Sequence, residues 1–120
     1  MPEEQNSKQY DLEERTFKFA KDARAFIKRL NKDISTIEDT KQLIRSSGSV
    51  GANYIEANEA LSKKDFVMRI KIFRKEAKES TYWLKLLDID TTELNTIRNS
   101  LVQESIELTN IFGAILRKSQ

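Results

Sequence analysis

The single proline of this 120-residue chain is Pro2, so no later residue breaks a helix by locking its ring against the preceding turn. That absence restricts the fold more than any motif does. Glycine is nearly as scarce, at 3 residues. Val, Thr and aromatic side chains do not alternate at period two, so strands have no support. Apolar residues recur instead at spacings of three and four, which lines one face of an α-helix.

Four helices follow from that spacing. The first runs from about Leu12 to Lys32, with Phe19, Ala23, Phe26, Leu30 and Ile34 facing inward. Asp11 and Glu14 stand at capping-box spacing before it. Tyr10 and Phe17 project to the other side and point to a second contact surface. The second helix runs from about Ile37 to Ala60, capped by Ser35 or Thr36. The third runs from about Lys63 to Leu87, opened by Ser62 and Asp65, with Phe66, Ile70, Phe73, Ala77, Ser80 and Leu84 as its core line. The fourth runs from about Thr91 to Arg117, opened by Asp90 and Glu93, with a core line from Leu94 through Leu101, Ser105 and Phe112 to Ile115. Short links force antiparallel neighbours. The expected fold is all-α: an antiparallel up-down-up-down four-helix bundle over residues 10–120, preceded by a loose segment, residues 1–9.

Composition narrows the function classes. Charged residues make up 33% and hydrophobic residues 38%, too apolar for a disordered chain and too charged for a membrane protein. No apolar run approaches the ~20 residues of a membrane span. The first ten residues carry no hydrophobic signal region, so a cytoplasmic protein is expected. Histidine and cysteine are both absent, which removes disulfides, thiolate metal sites, cysteine nucleophiles and imidazole acid–base pairs. Glu56 and Glu59 lack the histidine of a di-iron bundle motif. The glycines near Ser49 lack the lysine pattern of a phosphate loop, and Ser46, Ser47 and Ser49 have no imidazole base. The expectation is a protein without enzymatic activity, metal or cofactor.

Helix two is unusual on two of its faces. Leu43, Val50, Tyr54, Ala57 and Leu61 share one line, and Ile44, Gly48, Gly51 and Ile55 flank it. Each mid-helix glycine costs about 1 kcal/mol relative to Ala, so something is expected to approach closely. Opposite runs a polar stripe, Gln42, Arg45, Ser49, Asn53 and Glu56. Ser and Asn compete for backbone groups inside helices, which points to a specific structural hydrogen-bonding role. Helix three adds a second apolar stripe, Ile72, Trp83 and Leu86, beyond its core line. Gly48, Gly51, Ile72, Trp83 and Leu86 are therefore the expected oligomer interface, Trp being enriched among interface anchors.

The formal net charge is only +2, so a basic surface has to arise from local arrangement. Helix three supplies one: Lys64, Lys71, Arg74, Lys75, Lys78 and Lys85 share a broad face with Tyr82 among them. Such a stripe is the footprint of phosphate-backbone binding, to RNA or DNA, and symmetric assembly would multiply it.

The segment QLIRSSGSVGANYIEANEA and its continuation LSKKDFVMRIKIFRKEAKESTYWLKLL resemble the small four-helix bundle proteins encoded in intervening sequences of bacterial 23S ribosomal RNA genes. The resemblance extends from about Phe19 to Leu116 and is sharpest from Gln42 to Leu87. The family's helix-two pattern is an Arg-Ser pair, then Ser, Ile, Pro, a small residue, Asn, Ile, Ala, Glu and Gly. Those places hold Arg45, Ser46, Ser49, Val50, Gly51, Ala52, Asn53, Tyr54, Ile55, Glu56 and Ala57. Glycine in place of proline and alanine in place of glycine mark a divergent branch. The resemblance implies a homopentameric ring and brings no established activity. The chain is also similar to the accessory variability protein of diversity-generating retroelements, which implies a basic surface for nucleic acid and a reverse transcriptase as protein partner.

Overall fold

A computed structural model describes the backbone of residues 2–119 and the side chains of residues 11–119. It contains four helices: α1 (Pro2–Lys28), α2 (Ile34–Asn58), α3 (Lys63–Leu86) and α4 (Thr92–Ser119). The links, residues 29–33, 59–62 and 87–91, are too short for anything but antiparallel turns. Each helix packs on its chain neighbours, and α1 closes the ring against α4; across the core α2 and α4 approach through their side chains, Tyr54 and Phe112 standing with ring centroids 6.2 Å apart. The bundle measures 46 × 25 × 19 Å. The contacts of α3 with α2 and α4 are the most extensive, and α1 is held more lightly. The expected segment 1–9 lies outside the residues described to the side-chain level.

The core is built from the inward lines read in the sequence. Phe73 and Phe112 stack with ring centroids 4.3 Å apart, and Tyr54 tilts against Phe73 at 5.7 Å. Ser80 and Ser105 sit on those lines and are fully buried. The Ser80 hydroxyl lies 2.9 Å from that of Ser46 on α2, and Ser105 bonds Thr81 across α3 and α4. Both also bond a carbonyl of their own helix, Glu76 and Val102 respectively, so neither is left unsatisfied in the core.

Several boundaries differ from expectation, each for a local reason. α1 continues through Asp11 and Glu14, because nothing between Pro2 and Lys28 breaks a helix, and these residues therefore cap nothing. It ends early, with Arg29 and Leu30 donating to Phe26 and Ile27 in a tightened last turn. Asp33 then caps α2, its carboxylate accepting from Thr36 N at 2.8 Å, so the helix begins ahead of Ser35. Ile34 consequently opens α2 at 84% exposure and takes no part in the α1 core line. α2 stops at Asn58, which leaves Leu61 in the next turn 99% exposed. Ser62 caps α3 by accepting from Asp65 N, as expected. At α4 the cap is Thr91, which accepts from Leu94 N, and not Asp90. The free carbonyls ending α3 are met by Arg98 of α4, which donates to Leu84 O at 3.3 Å and Leu87 O at 3.1 Å.

Candidate nucleic-acid interface

The polar stripe of α2 runs along its seam with α3. Arg45 donates to Glu76 at 3.1 Å and pairs with Glu79 at 2.8 Å. Further along, Glu56 pairs with Arg69 at 2.7 Å. Ser49 and Asn53 lie between these two pairs and turn back on their own helix, bonding Arg45 O and Ser49 O. Burial opposes ionisation of Glu79, but hydrogen bonds from Arg45 and Trp83 and the charges of Arg45 and Lys75 overcome it and hold the carboxyl below its ordinary range. The stripe thus joins α2 to α3 within one chain.

The glycines have a similar explanation. A Cβ on Gly51 would stand 3.1 Å from Thr16 Oγ1 of α1, and one on Gly48 would stand 3.3 Å from the tip of Arg24. The close approach expected at these positions is made by α1 of the same chain. Packing within the chain thus gives these glycines a reason of their own, apart from the oligomer interface expected there. Trp83 is half-buried, packs against the core and donates to Glu79 at 3.4 Å, and Ile72 is half-buried as well. Of the expected interface set, Leu86 retains the most open surface, at 46%.

What remains is the charge on the other flank of α3. Its carboxylates are Asp65, Glu76 and Glu79, and all three are drawn to Arg45 or Arg69 near α2. The carboxylates of α4 are Glu93, Glu104 and Glu107, and these turn to α1: Glu104 and Glu107 bind Arg15 at 2.7 and 2.9 Å, and Glu93 binds Arg29 at 2.9 Å. Among the described residues, the cations along the seam between α3 and α4 are thereby left without an acidic partner within 4.0 Å, Asp65 lining the seam at its Lys64–Lys71 end. Arg74 crosses it onto Gly113. Lys78 lines a shallow groove with Thr81, Ile106, Thr109 and Asn110. Lys71 lines a larger groove, of about 750 Å³, with Lys64, Met68 and Ser119, where Asp65 is also found.

Among the described residues none of Lys64, Lys71, Arg74, Lys75, Lys78 and Lys85 forms an ion pair within 4.0 Å. Lys71, Arg74 and Lys78 are brought together along the α3/α4 seam. Lys75 stands nearer Glu79, whose ionisation it favours, and Lys85 sits in the last turn of α3. Arg117 was missed in the sequence: its Nη1 lies 3.5 Å from the place a Gly113 Cβ would occupy, beside Arg74. A mid-helix glycine four residues before an arginine was the available signal. Arg74 Nε is shielded from water and has no acceptor, at a cost of about 1–3 kcal/mol.

Residues 8–118 match the family described as 23S rRNA-intervening sequence protein. The chain belongs to that family. The chain also resembles a crystal structure of a protein of unknown function from the S23 ribosomal protein family of Bacteroides thetaiotaomicron: identity is 31%, the match covers 92% of this chain and 98% of that one, and the TM-score is 0.79. No curated protein matches this chain. The all-α four-helix reading holds; no described helix is long and apolar enough to cross a membrane, and no three described carboxylates gather to hold a metal ion.

Proposed function

We propose that this member of the 23S rRNA-intervening sequence protein family is a non-enzymatic, oligomeric helical bundle that binds RNA or DNA through the α3/α4 seam. Lys71, Arg74 and Lys78 make the phosphate contacts, Lys75 supplements them, and Lys64 and Lys85 extend the field at either end. The supporting observation is the segregation of charge: the carboxylates of α3 pair toward α2, those of α4 pair toward α1, and the cations between are left unneutralised. An unpaired cation row on a nearly neutral chain raises local potential without raising total charge. The family resemblance supports assembly as a homopentamer, which would repeat the row around a ring.

Contact with about four phosphates gives a log–log slope of affinity against salt near −3 to −4. Gel shifts with structured RNA at low salt test the reading. Binding that weakens steeply with salt, and is lost on reversing Lys71, Arg74, Lys75 and Lys78 to Glu, is the expected result. Absence of binding at low salt, or binding indifferent to those reversals, overturns it.

A second reading is a scaffold that recruits a protein, such as the reverse transcriptase partnered by the similar retroelement accessory protein. Phe17 at 65% exposure, with Ile44 and Ile55 also exposed on α1 and α2, favours it, since open apolar side chains on a helical face suit a protein partner. A partner retained after nuclease treatment and high salt would select this reading over the first.

A further inference from the structure

We infer that Arg74 and Arg117, meeting above Gly113, form a discrete cradle for one phosphoryl group, which fixes where a nucleic-acid backbone docks on the α3/α4 seam. The inference rests on the nucleic-acid reading and adds to it a site with defined geometry. Two guanidinium groups occupy one place on the bundle: Arg74 Nε and Arg117 Nη1 stand 3.2 Å and 3.5 Å from the position of an absent Cβ on Gly113. Like charges do not collect at a point without reason. No carboxylate lies within 4.0 Å of either among the described residues, and no hydrogen bond occupies Arg74 Nε.

A phosphoryl group supplies what this place lacks. Its oxygens accept from planar guanidinium forks in pairs, and its negative charge offsets the two cations together. A small rotation of the Arg74 head would offer Nε the acceptor it is missing. Glycine at position 113 matters because a Cβ there would crowd Arg74 Nε at 3.2 Å and touch Arg117 Nη1 at 3.5 Å. The neighbouring lysines have no such geometry, and their contacts are those of point charges.

The test uses Gly113→Ala, which changes no charge. Its Cβ stands 3.2 Å from Arg74 Nε and makes that head give way, with Arg117 Nη1 in ordinary contact at 3.5 Å, while alanine favours the helix, so a melting temperature at or above that of the parent separates loss of the cradle from loss of the fold. Affinity for a labelled structured RNA is expected to fall roughly five- to tenfold with an unchanged salt slope. Arg74→Lys and Arg117→Lys, which keep the charge and lose the fork, are expected to show the same loss, while Lys75→Gln lowers the slope instead. Inorganic phosphate, titrated against the melting temperature in the absence of RNA, reads the cradle alone. RNA binding that is unaffected by Gly113→Ala and by both arginine-to-lysine variants overturns the cradle and leaves the nucleic-acid reading standing. No RNA binding by the parent, with stabilisation by phosphate that disappears in the arginine variants, removes the nucleic-acid reading and keeps the cradle as a site for free phosphate. Neither response removes both.

Discussion

Gly48 and Gly51 lie three residues apart on α2, yet alanine at the two positions should move stability in different directions. In both places alanine recovers about 1 kcal/mol of helix propensity. What differs is the neighbour. At Gly48 the new Cβ meets the Arg24 guanidinium at 3.3 Å, the far end of a half-exposed flexible side chain that can swing aside. At Gly51 it meets Thr16, with Oγ1 at 3.1 Å, Cβ at 3.4 Å and the backbone carbon at 3.7 Å. Thr16 is fully buried, β-branched, and donates to Leu12 O at 2.8 Å, so it has no free rotamer to adopt. α1 itself has to shift, and overpacking of this kind costs about 1–3 kcal/mol. Gly48→Ala should therefore gain about 0.5–1 kcal/mol, and Gly51→Ala should be neutral or lose up to ~2 kcal/mol. Urea unfolding of the parent, the two variants and Thr16→Ala/Gly51→Ala, at equal m-value, measures the difference. The double variant should recover part of the loss. Equal stabilisation by both alanines would refute the close packing of α1 on Gly51.

Other perturbations read other seams. Arg45→Met leaves Glu76, only 8% exposed, without its partner, and should lower unfolding free energy by about 1–2 kcal/mol, discounted for the half-exposed arginine; chemical denaturation measures it, and no loss would show the pair to be idle. Arg98→Met removes the donors to Leu84 O and Leu87 O and should cost about 1–2 kcal/mol, seen as faster amide exchange at the end of α3 as well as a lower midpoint. The pH dependence follows from lowered carboxyl values. Burial raises Glu79, but the Arg45 and Trp83 bonds outweigh it and hold the carboxyl below its ordinary value; the Gln103 and Arg15 bonds lower Glu107, and the Thr36 amide lowers Asp33. The unfolded chain binds these protons more readily, so the stabilisation is complete above about pH 4.5 and is lost as pH falls through the lower folded values. Melting temperature followed from pH 7 to pH 3 should decline in that window, and less so in Glu107→Gln; a flat profile would contradict the assigned partners.

The inward faces were legible because a single periodicity governs the whole chain. Ile70, Phe73, Ala77, Leu84, Leu101, Leu108 and Phe112 could be placed without a structure, and even Ser80 and Ser105 fell on the right lines. The helix ends were less legible, since Asp33, Ser35 and Thr36 are all competent caps and only the tightened turn after Lys28 selects among them. Leu61 illustrates the limit. It continues the apolar line of α2 in the sequence, but the chain has already left the helix at Asn58, and periodicity does not report where a helix stops.

The side chains with chemistry were legible in identity and not in orientation. Six cations on α3 could be named from the sequence, but whether a carboxylate cancels them depends on which neighbour each acid faces, and that is a property of the bundle. Glu76 lies on the core side of α3 because Arg45 on α2 reaches it, and Glu104 turns from the seam because Arg15 on α1 takes both its oxygens. The same pairing that ties α1 to α4 and α2 to α3 strips acid from the face between α3 and α4. A chain with a net charge of only +2 thus keeps a row of unpaired cations beside the α3/α4 grooves as a consequence of how its helices are held together. Moving a carboxylate into the groove beside Lys78, as in Asn110→Asp, changes net charge by one unit and touches none of the interhelical pairs. It should weaken RNA binding about as much as removing Lys78, while Asn99→Asp, the same change elsewhere on α4, should weaken it far less. Equal effects from the two aspartates would mean that total charge governs binding and that the groove does not.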